Sequence, residues 1–176
     1  MPCIRERPVW IEGANALTVS AMHQLPHVLA VAILVLSMVT SVLAGPFEDA
    51  LAAYNRQDYA RAVQLLRPIA ESGNVRAQFL LGFMYEGGMG VPEDDTEAAK
   101  WYRRAADTGD DYAQYHMGVM HRDGQGVPRD LVRAYMWLDL AAMRGHQGAA
   151  MDRDRLAGSM SAAQIAEAQE LARKWK

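Results

Sequence analysis

Residues Ala77–Gly109 read AQFLLGFMYEGGMGVPEDDTEAAKWYRRAADTG, and residues Ala113–Gly145 read AQYHMGVMHRDGQGVPRDLVRAYMWLDLAAMRG. A shift of 36 positions lays one over the other without a gap. The shift pairs Ala77/Ala113, Gly82/Gly118, Gly88/Gly124, Gly90/Gly126, Val91/Val127 and Pro92/Pro128, then Ala98/Ala134, Trp101/Trp137, Ala105/Ala141, Ala106/Ala142 and Gly109/Gly145. Self-similarity at a fixed period of about 20–50 residues marks units that bury their apolar faces by stacking on their neighbours.

Each copy divides into two helical patterns around a glycine-rich loop. Helix A is expected over residues 74–86 and 110–122, where Ala77, Leu81 and Tyr85 share one face with Gly82 beside them. A glycine inside a helix costs about 1 kcal/mol relative to alanine, so its return at Gly118 points to a close neighbouring helix. The loops Gly87–Glu93 and Gly124–Arg129 supply glycines for positive φ and then Pro92 and Pro128 ahead of helix B. Helix B is expected to start at Asp94/Asp95 and Asp130, and Asp94 with Glu97 has capping-box spacing. Its alanines make a flat face. Trp101 and Trp137, at helical spacing among them, read as core in preference to a carbohydrate or cofactor site.

The flanks extend the pattern. FEDALAAY (Phe47–Tyr54) reads as a short helix, and Asp58 caps a second over Tyr59–Glu71, with Ala62, Leu65, Leu66 and Ile69 on one face and Gly73 as the stop. This is a degenerate first repeat, residues 46–73, ahead of repeats 74–109 and 110–145. Residues 146–176 hold a third helix A (HQGAAMDRDRLA), then Ser161 and Gln164 as a capping box for a last helix over Ala162–Trp175. That helix has a polar side and an apolar side (Ile165, Ala168, Leu171, Ala172), as a terminal cap of a stack requires.

Residues 1–44 form a leader. Val28–Ala44 is uncharged and ends in Val42-Leu43-Ala44 before Gly45, the pattern of a secretory signal cleaved after Ala44. Its length leaves an uncleaved inner-membrane anchor as the alternative. Residues 1–21 are unusually polar for a signal, and Met22 is the expected start. The leader's Arg5, Glu6, Arg7 and Glu12 cancel, so the net charge of −3 belongs to residues 45–176. That acidic balance argues against a nucleic-acid partner. The single cysteine, Cys3, precludes an internal disulfide or a cysteine-based metal site.

The phrases Leu81-Gly82-x-x-Tyr85, Gly88-x-Gly90-Val91, Asp94-x-x-x-Ala98-x-x-Trp101 and Ala105-Ala106-x-x-Gly109 closely resemble the Sel1-like repeat, a relative of the tetratricopeptide repeat. The second copy departs in Met117 for the leucine and His121 for the tyrosine. The resemblance implies an all-α solenoid of antiparallel helix pairs, a right-handed superhelix whose concave face is an interaction platform. Many bacterial members resemble secreted or periplasmic adaptors in signalling, polysaccharide export or envelope stress. Some secreted members carry regular cysteine pairs and are linked to β-lactam binding; this chain lacks such pairs.

Candidate chemistry is sparse, and no catalytic, cofactor or metal site is expected. His116 and His121 are five apart, a poor spacing for a metal, and His121 replaces a core tyrosine. Asp152 and Asp154 fall on opposite sides of a helix, and Glu93-Asp94-Asp95 is a solvated loop-and-cap cluster. Gly87-Gly88-Met89-Gly90 lacks the lysine of a phosphate loop. The expected function is therefore an exported, non-enzymatic scaffold for a protein or peptide, touching membrane only through an uncleaved leader. The alternative is a cell-envelope hydrolase or small-ligand-binding protein. If the A helices line the concave face, Arg76, Phe79, Phe83 and Glu86 point into it from one copy. Tyr112, Tyr115, Val119 and Arg122 follow from the next, and Met151 and Arg155 extend the row. Two readings of Phe79 and Phe83 stand side by side: they grip a partner, or they pack between repeats.

Overall fold

The computed structural model describes residues 45–175, and the expected signal segment over 1–44 lies outside them. The described residues contain helices and no strand. In order these are α1 (Pro46–Asn55), α2 (Tyr59–Glu71), α3 (Val75–Glu86), α4 (Asp95–Asp107), α5 (Asp111–Asp123), α6 (Leu131–Met143), α7 (Gln147–Ala157) and α8 (Ala162–Lys174). Consecutive helices from α1 to α7 pack on one another, giving an α-solenoid. Its A layer is α3, α5 and α7; its B layer is α2, α4 and α6.

Helix starts follow the period. Asp58, Asp94 and Asp130 cap the B helices, each accepting from a backbone N–H three residues on. Asn74, Asp110 and His146 cap the A helices in the same way. The expected Asp94/Glu97 capping box is only half formed. Asp94 accepts from Glu97 N, but the Glu97 carboxylate turns to Lys100, 2.6 Å away, a partner one turn on that competes for it. The full reciprocal box occurs at Ser161 and Gln164.

Glycines mark the close approaches. A Cβ on Gly82 would lie 2.7 Å from the Tyr102 ring, and one on Gly118 2.7 Å from Leu138 Cγ. Gly90 (φ 74°) and Gly126 (φ 64°) rest against the backbone that opens the preceding B helix, at Tyr59–Ala60 and Asp95–Thr96 respectively. No other residue type satisfies both the left-handed backbone and that contact. The alanine faces bring helices together, while aromatic side chains, about 150–250 Å² each, supply the bulk. Tyr102 is fully buried, and Trp101 and Trp137 are nearly so.

The C-terminal helix departs from the hairpin pattern. It packs on α6 in the B layer, and its contact with α7 is slight. Ala168 and Ala172 are buried there, but Leu171, expected on the apolar side, is 38% exposed. The helix ends at Lys174, and Trp175, outside it, meets Trp137 edge to face at 4.5 Å.

Candidate binding face and repeat junctions

The period sorts the A-layer residues into positions. Arg76, Tyr112 and Gly148 share one; Phe79, Tyr115 and Met151 another; Phe83, Val119 and Arg155 a third. Glu86, Arg122 and Gly158 share a fourth, and Leu80, His116 and Asp152 a fifth. Structural context divides the expected face in two.

One group is engaged between repeats. Phe79 is half-buried, its ring centroid 5.6 Å from Tyr102, 5.7 Å from His116 and 6.0 Å from Tyr112. Phe83 and Val119 are also half-buried. Tyr115 stacks on His146 at 4.4 Å and donates its hydroxyl to Asp152 Oδ2 at 3.0 Å. Glu86 accepts from the Tyr102 hydroxyl at 2.6 Å and lies 3.3 Å from His116 Nδ1.

The second group is open to solvent on the same layer. Tyr112 is 58% exposed and Met151 66%. Arg76 is exposed, its guanidinium 4.5 Å from the Phe47 ring centroid. Arg155 is exposed and bonds Asp152 at 3.3 Å. Arg122 bridges the two groups, paired with Asp123 at 2.7 Å and Asp152 at 3.7 Å.

Electrostatics follow these contacts. The bond from His116 holds the Glu86 carboxyl below its ordinary value against a desolvation penalty, with Tyr102 adding to the effect. Burial, then the Glu86 bond, pushes the Tyr102 hydroxyl far up. Burial followed by the Asp152 bond raises Tyr115. Desolvation is the main cause of the raised Asp110 pKa. His121 is buried, and that burial lowers its pKa despite Pro128 O, 3.3 Å from Nδ1. Among the described residues no group of three or more His, Cys, Asp or Glu is placed to hold a metal ion.

Four participants escaped the sequence reading. His146 caps α7 through Nδ1, 3.1 Å from Ala149 N; its signal was alignment with Asn74 and Asp110. Asp152 joins the junction with Arg122 because it stands where His116 does. Gln78 and Gln114, matched in the two copies, are buried and donate to Ala70 O (3.0 Å) and Ala106 O (3.2 Å) across the preceding turn.

Stacked helix hairpins of one period, sealed by small residues and closed by an odd terminal helix, define a tetratricopeptide-like α-solenoid. The Sel1 repeat family matches residues 56–74, 75–110 and 111–146, and the chain belongs to that family. Among solved structures, it is similar to c5321, a protective antigen of uropathogenic Escherichia coli strains displaying an SLR fold. Identity there is 30% and the TM-score 0.70, over 77% of this chain and 30% of that one. It is also similar to a Sel1 repeat protein from Oxalobacter formigenes, at 30% identity and TM-score 0.59, over 61% of this chain and 44% of that one. The chain thus spans less than half the length of either. No curated protein matches it. Sel1 repeat solenoids are commonly protein-interaction scaffolds and generally non-catalytic.

Proposed function

We propose that this chain is an exported, non-enzymatic scaffold that binds a segment of another protein on its A-layer face. The observation that carries the reading is the exposure of Tyr112 and Met151, large apolar side chains on adjacent A helices, with Arg76 and Arg155 flanking them. Such side chains offer contact area, and arginine can fork onto a partner carboxylate. The half-buried neighbours Phe79, Phe83 and Tyr115 hold this face in register and are poor sites for a binding test, because truncating them disturbs packing.

The leader, Val28–Ala44 above all, supports export to the periplasm or beyond, with an inner-membrane anchor as the other outcome. Among the described residues no helix is long and apolar enough to cross a membrane. Mass spectrometry of the mature N-terminus distinguishes cleavage after Ala44 from retention of the leader.

Photo-crosslinking in the producing cell tests the binding face. A crosslinker replacing Tyr112 or Met151 is expected to trap one defined protein, and the same group at Arg61 on α2 is not. Equal trapping from all three positions, or none from Tyr112 and Met151, refutes this reading.

A further inference from the structure

A second surface lies on the opposite layer. Between α4, α6 and α8 runs a cleft of about 310 Å³ in which Arg103, Arg133 and Lys174 stand over Met136, Trp137 and Trp175. A second cleft of about 270 Å³ adjoins it, shares Arg103 and Arg133, and adds Lys100 above Ala99 and Val127. No Asp or Glu among the described residues lines either cleft, in a chain whose net charge is −3. The Arg103 guanidinium lies 5.2 Å from the Trp137 ring centroid and 4.9 Å from that of Trp175, so it is held in place by both.

Arg103 has a counterpart in Arg67, but the cluster of cations around it is particular to this junction. One repeat earlier, Glu97 stands in place of Arg133 and Gln64 in place of Lys100. The four cations bond only acids on neighbouring turns: Asp107 at 2.7 Å, Asp130 at 3.5 Å, Glu170 at 3.2 Å and Glu97 at 2.6 Å. Exposed pairs of this kind add little stability, so an incoming carboxylate displaces them at little cost.

We infer that this groove binds an acidic peptide segment of a partner protein, its carboxylates on Arg103, Arg133, Lys100 and Lys174 and an apolar side chain over Trp137 and Trp175. The occupant follows from charge complementarity across an apolar floor. It is distinct from whatever the A-layer face holds.

The test uses the full chain and a fluorescein-labelled heptapeptide, Glu-Asp-Phe-Glu-Asp-Leu-Glu, followed by anisotropy. The acidic peptide is expected to bind, to weaken as salt rises, and to bind better than a version with Lys at every acidic position. The double variant Arg103→Gln/Arg133→Gln should lose about tenfold in affinity or more, each lost charge-assisted bond contributing to it. Lys100→Gln/Lys174→Gln, at exposed side chains, should lose affinity in the same direction, which separates loss of binding from loss of fold. Tyr112→Ala/Met151→Ala should leave this affinity unchanged. Absence of binding, equal binding of both peptides, indifference to both cation variants, or loss in the A-layer variant instead would each overturn the inference.

Discussion

Arg122 reaches Asp152 across the α5–α7 junction, Nη1 to Oδ2 at 3.7 Å, from the two positions that Glu86 and His116 occupy across the α3–α5 junction. The polarity is reversed between the two: acid then base in one, base then acid in the next. One junction further back, Leu80 stands where His116 does and carries no charge.

This reversal predicts the outcome of a charge exchange. Arg122→Glu places a carboxylate against Asp152 and Asp123 and should lower stability by about 1 kcal/mol. The double variant Arg122→Glu/Asp152→Arg should recover most of that loss in urea unfolding. No recovery would show that Asp152 acts through Tyr115 and Arg155 and not through Arg122.

Gly118→Ala gains helix propensity of about 1 kcal/mol but drives a methyl into Leu138. A net loss of about 1–3 kcal/mol is expected from overpacking, and a smaller one when Gly118→Ala is made in a Leu138→Ala background. Gly126→Ala should cost more than Gly118→Ala, because backbone at Asp95 and not a side chain stands in the way. Thermal melts of the three variants check the order.

Burial keeps His121 neutral in the folded protein to lower pH than in the unfolded chain. The unfolded state therefore takes up the proton first, and stability falls as pH drops below about 6.5, the ordinary histidine value. Glu86 acts lower on the scale. Its depressed pKa contributes stability above 4.5 that is lost as pH falls through the folded value. In the first full repeat, Tyr85 stands where His121 does and accepts a bond from Arg67, whose counterpart is Arg103. His121→Tyr should keep the fold and flatten the decline in melting temperature between neutral and mildly acidic pH. An unchanged slope would assign that decline to another group.

His146→Ala removes the cap of α7 together with the stack on Tyr115 and should cost about 1 kcal/mol or more, whereas His146→Asn loses the stack but keeps a cap of the Asn74 type and should cost less. Hydrogen exchange confined to α7 is the readout, since a lost cap frays that helix before the stack opens.

The repeat made the helices, their order and most of their caps legible before any coordinates, because glycine, proline and aspartate act locally and their effects repeat. Contacts between copies were harder to read. Phe79 and Tyr112 lie on the same predicted face but at different positions of the repeat: Phe79 meets the Tyr112 and His116 rings of the next A helix, while Tyr112, like Arg76 one repeat earlier, stays exposed. Along its own helix Asp152 makes only a poor carboxylate pair with Asp154; at the full period it stands where His116 does, and its partner is Arg122. The placement of α8 on α6 had no local signal, because Ile165, Leu171 and the alanines between them fit either neighbour.

The junction pairs also bear on how this array can be lengthened. A second copy of residues 110–145 inserted after Gly145 would set Arg122 of one copy against His116 of the next, pairing base with base. A further unit after α7 would meet Gly158, which offers no charge at all. Glu86, His116, Arg122 and Asp152 thus give the repeats an address as well as a shape, and an engineered extension must carry its own complementary pair across every new seam.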